Sequence, residues 1–406
     1  MEAHLARQGI FDRSLSVVAY EVLVREGDHD LLVGPQAEQA GATLIEGSIH
    51  GAGLGELAGG KKLFFNFTRE MLSRDLAALL PPRITVVEIH EALKPDESIV
   101  AACQALKRKG YQIGVDAYTA RLGMAPLMAL ADYVKVSFKA TDEGEQRSGV
   151  ERYSKAGVRM IAEHADSRDH YLRAIKLGYS LVQGLFMSWP EEVARKDIPP
   201  FKFAYLRFLQ EANRPDVDFD RLEELIRQDV ALSLKLLRYV NSAMFSFKSR
   251  VESIKQALVL LGLPVVRKWA SLLALAAMGE DRPQELVVAA LVRARFMELI
   301  GELSGMAGKS FELFLIGMFS HLDAILGRPI SEVLTDLPLS PAARDALLGH
   351  VGPMGLYLKI VQAYEKADWT RLQSLSGGSG LNSKTFPSLY MEAVGWVDRI
   401  FSVTKG

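Results

Sequence analysis

The chain has 406 residues, of which 49% are hydrophobic, enough to bury the cores of two or three domains. Its formal net charge of −1 provides no bulk attraction to nucleic acid or to an acidic membrane surface. The single cysteine, Cys103, excludes an internal disulfide, and its helical spacing from Ile99 and Leu106 makes it a core residue.

The N-terminus and the apolar stretches indicate where the protein works. The first eight residues lack the charged and apolar regions of a signal peptide. The longest apolar stretch, at 269–278, is far short of the ~20 residues that a membrane span needs. We therefore expect a cytoplasmic protein that binds neither membranes nor nucleic acid.

From the N-terminus to about residue 190, strand-like segments alternate with helix-like ones. The strand-like segments are short and almost continuously apolar, as expected of strands buried on both faces of a parallel sheet. Helical patterns at 95–109, 126–131 and 167–177 predict crossovers between them. The predicted strands cover residues 5–11, 16–25, 61–67, 85–90, 111–117, 133–138, 158–164 and 181–187.

About eight such units predict an α/β fold, an irregular (β/α)8 barrel. The first two strands are separated only by a turn, so they must pair antiparallel. Residues 188–200 then hold two charged clusters bracketed by prolines. Because such a segment is typical of a linker, we place the domain boundary here and assign residues 1–195 to the barrel.

Residues 200–406 are predicted to be all α-helical. The sequence Asp220-Arg221-Leu222-Glu223 matches a capping box, and Asp229 can cap the next helix. A second capping box at 253–256 starts a helix that Gly262 ends, and Pro264 begins another. Further helices are predicted at 285–303, 311–326, 341–348, 354–366 and 387–401.

Polar residues stand at the ends of the predicted barrel strands. The carboxyl ends of barrel strands meet at one rim, where their side chains converge. Carboxylate and amide oxygens suit Mg²⁺ or Mn²⁺ better than zinc, and a neighbouring lysine suits attack on a phosphate ester. For each acid taken singly, a solvated loop position is the alternative. The residues are Glu21, Asn66, Glu88, Asp116, Lys135, Glu163 and Gln183.

At these residues the chain resembles bacterial EAL domains, the cyclic di-GMP phosphodiesterases. The segment Tyr20-Glu21-Val22-Leu23-Val24-Arg25 looks like the family signature, with Val22 in place of its alanine. The resemblance covers residues 1 to about 195. The other landmarks follow in family order, at Gln8-Gly9-Ile10, Asn66-Phe67-Thr68, Glu88-Ile89-His90-Glu91, Val115-Asp116, Val134-Lys135-Val136, Ala162-Glu163-His164 and Val182-Gln183-Gly184.

The resemblance implies a role for each of these residues. A first metal ion would be held by Glu21, Asn66, Glu88 and Asp116. Glu163 would bind the second metal or the attacking water, Lys135 would position that water, and Glu91 would be a further catalytic residue. Arg25 would hold a phosphate, with Gln8, Leu23 and Gln183 near the bases.

The chain also departs from the EAL pattern. Ala117 stands where active members have a second aspartate, and Ser137 replaces the aspartate after the lysine. Gly9 replaces a proline, and the loop at 118–121, which in active members gates the site and its dimer partner, is altered. A weakened second metal site should lower turnover while leaving the first metal and the nucleotide pocket usable.

The helical half resembles HDOD domains, which are related to HD-type metal phosphohydrolases but lack their metal ligands. The resemblance covers 200 to about 400 and rests on the motifs at 227–243 and 254–262. No adjacent His-Asp pair occurs after residue 200, and His321 and Asp323 fall on different faces of a predicted helix. We therefore expect no metal site and no activity in this domain.

Three functions compete. The first is a signal transduction protein in which a degenerate EAL domain binds cyclic di-GMP, or acts as a regulatory module, coupled to an HDOD output domain with a protein partner. The second is an active Mg²⁺-dependent phosphodiesterase that linearises cyclic di-GMP. The third is a protein-interaction scaffold that binds no nucleotide. The EAL resemblance also implies a homodimer formed through the barrel.

Overall fold

The computed structural model describes residues 3–26, 29–30, 53–90, 93, 95–116, 125–154, 157–188, 200–214, 216–241, 250–334, 337, 339–377, 379 and 381–404. Strands and helices alternate in the first half of the chain. The strands are β1 (Ala3–Asp12), β2 (Val17–Glu26), β3 (His29–Asp30), β4 (Lys62–Phe67), β5 (Thr85–Ile89), β6 (Gln112–Asp116), β7 (Tyr133–Ser137), β8 (Arg159–Glu163) and β9 (Leu181–Gln183).

The described helices of the first half are short, and those of the second half are mostly longer. The first half contains α1 (Gly53–Ala58), α2 (Arg69–Ser73), α3 (Glu97–Arg108), α4 (Ala125–Met128), α5 (Glu143–Tyr153) and α6 (Arg168–Leu177). The second half contains α7 (Pro200–Ala212), α8 (Phe219–Arg227), α9 (Val230–Val240), α10 (Ile254–Met278), α11 (Gln284–Leu303), α12 (Ser310–Phe319), α13 (Leu322–Leu326), α14 (Ile330–Val333), α15 (Pro341–Gly349), α16 (Gly352–Glu365), α17 (Trp369–Ser376) and α18 (Phe386–Thr404).

Eight of the strands close into a barrel, as predicted. The order around it is β1-β9-β8-β7-β6-β5-β4-β2, and β1 pairs with β2 to close the ring. Strand β1 runs antiparallel to both of its neighbours, and the other barrel pairs are parallel. The antiparallel start that the short β1–β2 turn predicts is therefore confirmed.

The barrel interior consists of an apolar layer below a polar layer. The apolar layer contains Ile10, Ala19, Phe64, Val86, Tyr133, Ile161 and Leu181. Side chains two positions apart on a strand lie on the same face of the sheet. The residues two positions nearer the rim therefore also face inward, and they are Gln8, Glu21, Asn66, Glu88, Lys135, Glu163 and Gln183.

The last predicted strand, 181–187, is shorter than expected. It ends at Gln183, because the chain turns at Gly184 and passes close to the loop after β8. A Cβ atom on Gly184 would lie 2.4 Å from the backbone oxygen of Ala165, so only glycine fits this approach.

The helical half has two apolar cores. The first lies among α7 to α10 and includes Leu222, Leu236 and Trp269. The second joins the later helices to the outer wall of the barrel in one continuous cluster of buried residues. The predicted boundary at 188–200 falls mainly on residues outside the described part of the chain.

Two helix predictions in this half were wrong in detail. The cap of α8 is Asp218, whose side chain accepts from the amides of Asp220 and Arg221, so the capping box predicted from Asp220 does not form. The helix predicted at 311–326 is divided into α12 and α13, with His321 as the N-cap of α13.

Among the described residues, one helix, α10, is long and apolar enough to cross a membrane, judged by length and composition alone. Gly262, with φ 71° and ψ 163°, breaks it just before Pro264, which confirms the predicted stop and start. Ser253 caps its first turn by accepting from the amide of Gln256, which is one of the two bonds of the predicted capping box. Leu258, Val266 and other side chains on both sides of the break are buried in the first helical core.

Strand β1 contacts the helical half through its first residues, and Leu5 and Arg7 lie on the face opposite Gln8. The Tyr364 hydroxyl donates to the backbone oxygen of Leu5 at 2.8 Å. The ring of His4 stacks on Trp369 with centroids 5.3 Å apart. One strand thus faces the polar layer on its inner side and the helices on its outer side.

Candidate functional site

Lys135 lies at the centre of the polar layer. Its side chain is almost fully buried, and Nζ lies 2.7 Å from Glu21 Oε2 and 2.7 Å from Glu88 Oε1. Glu163 Oε1 is further away, at 3.4 Å. One buried ammonium group therefore faces three carboxylates that come from three other strands.

Burial and charge act in opposite directions on these groups. Burial alone would lower the pKa of Lys135, but the surrounding carboxylates raise it well above its usual value. Burial raises the pKa of Glu88 well above normal; Lys135 opposes this, and Glu21 and Asp116 add to it. Burial would also raise the pKa of Glu163, but Lys135 and His164 outweigh it and lower that pKa to about 2.

Amide side chains complete the layer around Glu21. Asn66 Nδ2 donates to Glu21 Oε1 at 2.9 Å, and the amide oxygen of Asn66 takes no part in this hydrogen bond. Gln183 Nε2 donates to Glu21 Oε2 at 2.5 Å and to Gln8 Oε1 at 2.9 Å. The predicted site residues Gln8, Glu21, Asn66 and Gln183 therefore form one hydrogen-bonded chain.

Asp116 is the last residue of β6, which lies between β5 and β7 in the barrel. Its Oδ2 lies 3.5 Å from Nε2 of His90, which follows β5. Asp116 also pairs in register with Lys135 on the neighbouring strand. The carboxylate therefore stands at the mouth of the barrel, beside the group centred on Lys135.

Glu163 is held by a second contact, which comes from His164. His164 Nδ1 lies 3.3 Å from Glu163 Oε2 and 3.1 Å from Ser137 Oγ. The Ser137 hydroxyl, at the end of β7, is two positions nearer the mouth than Lys135 on the same face. Period-two spacing along β7 could have placed Ser137 here, but no sequence signal placed the ring of His164.

Several predicted site residues lie away from this cluster or beyond the described residues. Leu23 lies on the same face of β2 as Glu21 and packs, half-buried, against the main apolar core. The backbone of Arg25 belongs to β2, but its side chain is not described. Glu91, Ala117 and the loop at 118–121 lie outside the described residues.

The oxygen atoms that the rim side chains offer as ligands suit a hard divalent cation. All the donors are carboxylate or amide oxygens, and Glu88 Oε2 is buried without a hydrogen-bond partner in the described part of the chain. Within the same residues, however, no three His, Cys, Asp or Glu side chains stand where they could share a metal ion. The ammonium of Lys135 occupies the position between Glu21 and Glu88.

The helical half places its histidines differently. His321 is 4% exposed, and burial holds its pKa well below the usual value. His350 Nε2 lies 3.2 Å from Gln362 Oε1. His321 is thus a packed residue, and His350 is a half-buried one.

A partly buried charge at the junction of the two halves was not predicted. The Tyr20 hydroxyl donates to Glu285 Oε2 at 2.9 Å, and the guanidinium of Arg7 lies 4.0 Å from the centre of the Tyr20 ring. Sequence reasoning missed this contact because nothing local relates residues so far apart in the chain.

Comparison with known proteins assigns the chain to a family. A family model described as "HDOD domain" matches residues 198–326. The chain is 30% identical over 404 residues to the uncharacterized protein YuxH of Bacillus subtilis, covering 98% of each chain. It is also 30% identical over 398 residues to the cyclic di-GMP phosphodiesterase CdgJ of Vibrio cholerae, covering 97% of this chain and 92% of CdgJ.

A search of solved structures finds EAL domains at low similarity. The EAL domain of FimX matches with a TM-score of 0.40 and 18% identity, over 48% of this chain and 93% of that one. The family assignment therefore rests on the full-length relatives, the HDOD match and the closed barrel described above. The chain belongs to the bacterial EAL–HDOD family of two-domain signal transduction proteins.

Proposed function

We propose that the barrel binds cyclic di-GMP together with Mg²⁺ or Mn²⁺, hydrolyses it slowly or not at all, and passes its state to the helical domain. In this proposal the barrel comprises residues 1–195 and the HDOD domain residues 200–406. The observation that carries it is the excess of buried carboxylates around the single cation Lys135. Such an unbalanced cluster at a barrel rim is what a site for divalent cations and phosphate requires.

The metal and the nucleotide would use different parts of the polar layer. Glu21, Asn66, Glu88 and Asp116 would hold the first metal ion, which would lower the pKa of a bound water and offset phosphate charge. Lys135 and Glu163 would orient the water, with Glu91 as a further catalytic residue. Gln8, Leu23, Arg25 and Gln183 would contact the nucleotide.

Slow hydrolysis follows from the second metal site. Ser137 offers a hydroxyl where the EAL family has a carboxylate, and this hydroxyl already contacts His164. Ala117 removes a further carboxylate. With fewer anionic ligands the second ion would bind weakly, and a step that depends on both ions would slow more than nucleotide binding does.

Strand β1 offers a route from the nucleotide to the HDOD domain. Gln8 faces the polar layer, where it accepts a hydrogen bond from Gln183. On the same strand, the Leu5 carbonyl accepts from Tyr364 of the helical half, and the Arg7 guanidinium lies over the ring of Tyr20 on β2. A nucleotide that engaged Gln8 would therefore act on a strand held by the output domain. The protein partner would then read the state of the helical domain.

A working phosphodiesterase is the second candidate. It is favoured by the full-length similarity to CdgJ, which carries that activity in its name. It is also favoured by Glu21, Glu88, Lys135 and Glu163 being together at the rim.

A paired experiment separates these functions. Calorimetry with cyclic di-GMP and Mn²⁺ would measure binding, and chromatography would measure the linear product. Saturable binding with little product supports the proposal, while turnover that Glu163→Gln abolishes supports the phosphodiesterase. Ala117→Asp should raise turnover if the second metal limits the rate. Absence of binding at any metal concentration would leave only the scaffold.

A further inference from the structure

His164 has an unusual backbone conformation at the mouth of the barrel. Its φ is 54°, in the left-handed region that non-glycine residues seldom occupy. The adjoining loop fixes this geometry, because the Ala165 amide donates to the Gln183 carbonyl at 3.0 Å and the Phe186 amide donates to the Ala165 carbonyl at 3.2 Å. A conformation that is unfavourable locally and held by its surroundings often marks a functional position.

The two oxygens of the Glu163 carboxylate have different partners. Oε1 faces Lys135 at 3.4 Å, and Oε2 faces His164 Nδ1 at 3.3 Å. Lys135 lies closer to Glu21 and Glu88, at 2.7 Å from each, so its hold on Glu163 is the weakest of its three contacts. The second anchor of Glu163 is therefore the imidazole ring.

Ser137 fixes that ring from the neighbouring strand. Its hydroxyl lies 3.1 Å from Nδ1, and Ser137 pairs in register with Glu163. Ser137 is 8% exposed and the His164 side chain is 51% exposed, so the contact lies where the buried rim meets solvent. Glu163, His164 and Ser137 thus form one connected group across β7 and β8.

We propose that His164 is a positioning residue, which together with Ser137 fixes the Glu163 carboxylate in the orientation that ligand binding at the rim requires. This inference rests on the proposed function, because the orientation of Glu163 matters only if metal and nucleotide bind there. In this proposal Ser137, which stands where the EAL family has a carboxylate, serves to hold the His164 ring.

Glycine and asparagine substitutions separate this role from a structural one. Glycine adopts the left-handed conformation without strain, so His164→Gly should not weaken the fold while it removes the ring. Asparagine also tolerates this conformation and retains a side-chain N–H donor. Ala367→Gly is the matched control, because Ala367 has φ 53° in the helical half, away from the rim.

The test is calorimetric titration of the full-length protein with cyclic di-GMP in Mn²⁺, combined with thermal unfolding. We expect His164→Gly to bind about tenfold more weakly than wild type, with a Tm no lower than that of wild type. His164→Asn should stay within about threefold of wild type, and Ala367→Gly should bind as wild type does.

Three outcomes would overturn the inference. Wild-type affinity in His164→Gly would show that the ring does not matter. A lower Tm in His164→Gly, with no rescue by asparagine, would assign the ring a structural role. If wild type binds no cyclic di-GMP, the proposed function fails and the inference fails with it, and this result is distinct from the other two.

Discussion

Two buried clusters of charged side chains, one in each half of the molecule, differ in their ratio of cations to carboxylates. In the helical half, Arg293 Nε donates to Glu365 Oε1 at 3.2 Å and to Oε2 at 2.8 Å, and Nη2 donates to Oε2 at 2.5 Å. Nη1 donates to Ser320 Oγ at 2.8 Å. One cation there meets one carboxylate. At the barrel rim, the one ammonium of Lys135 meets three carboxylates.

The difference separates a structural ion pair from a site. A balanced pair whose donors are all engaged gains nothing from another cation. An unbalanced group costs folding energy, and one oxygen of Glu88 is buried with no hydrogen-bond partner among the described residues. A further cation, or a proton on Glu88, can recover part of this energy. The comparison favours the rim over the Arg293 pair as the place where the proposed cation would bind.

The largest effect is expected from Lys135→Met. Removing this ammonium group leaves the largely buried carboxylates of Glu21, Glu88 and Glu163 facing one another, which should lower the free energy of unfolding by about 3–5 kcal/mol. Urea unfolding with and without Mn²⁺ measures it. Mn²⁺ should recover part of the loss, and a loss that Mn²⁺ leaves unchanged would contradict a metal site at the rim.

Arg293→Met is the matched substitution in the helical half. It also leaves a carboxylate, Glu365, without its partner, but the Glu365 side chain is 18% exposed and keeps some contact with water. We expect a loss of about 2–3 kcal/mol in the same urea experiment, with no recovery in Mn²⁺. Recovery in Mn²⁺ here would remove the distinction between the two clusters.

Tyr20→Phe tests the contact between the two halves. It removes the hydroxyl that donates to the partly buried carboxylate of Glu285, and this should lower the free energy of unfolding by about 1–3 kcal/mol. Tyr179→Phe is the control within the first half of the chain, where the hydroxyl donates to the carbonyl of Gln146 in α5 at 2.9 Å. If the two variants lose equal free energy of unfolding, the hydrogen bond from Tyr20 to the Glu285 carboxylate contributes no more than a neutral hydrogen bond does.

The smallest effect is a pH dependence from Glu163. Its pKa in the folded protein is about 2, below the ordinary value of 4.5, so ionised Glu163 stabilises the fold above pH 4.5. This contribution is lost as the pH falls toward 2, by about 1.4 kcal/mol per pH unit. The stability difference between wild type and Glu163→Gln should therefore shrink between pH 6 and pH 3.5; a constant difference would contradict the lowered pKa.

Much of the barrel was predictable because its signals are local. Most of the predicted strands after the first carry an inward apolar residue two positions before their polar one, as in Val86 and Glu88, and this spacing fixes the face as well as the end of the strand. The break at Gly262 was predictable for a similar reason, because a capping residue and Pro264 stand in fixed positions around it.

The rest depended on contacts between distant segments. Nothing near His164 in the sequence indicates that Ser137 meets its ring, or that the loop after β9 fixes its backbone. The cap of α8 shifted from Asp220 to Asp218 because both residues suit the role and the fold selects between them. Glu285 likewise became important only when α11 packed against β2.

Mn²⁺ binding tests the central claim most directly. Electron paramagnetic resonance would count the Mn²⁺ ions held by the full-length protein in the presence of cyclic di-GMP. The account predicts bound Mn²⁺ in wild type and in Arg293→Met, and its loss in Glu88→Gln, which replaces a buried carboxylate of the rim with an amide of similar shape. Equal Mn²⁺ binding in Glu88→Gln and wild type, or none in wild type, would contradict it.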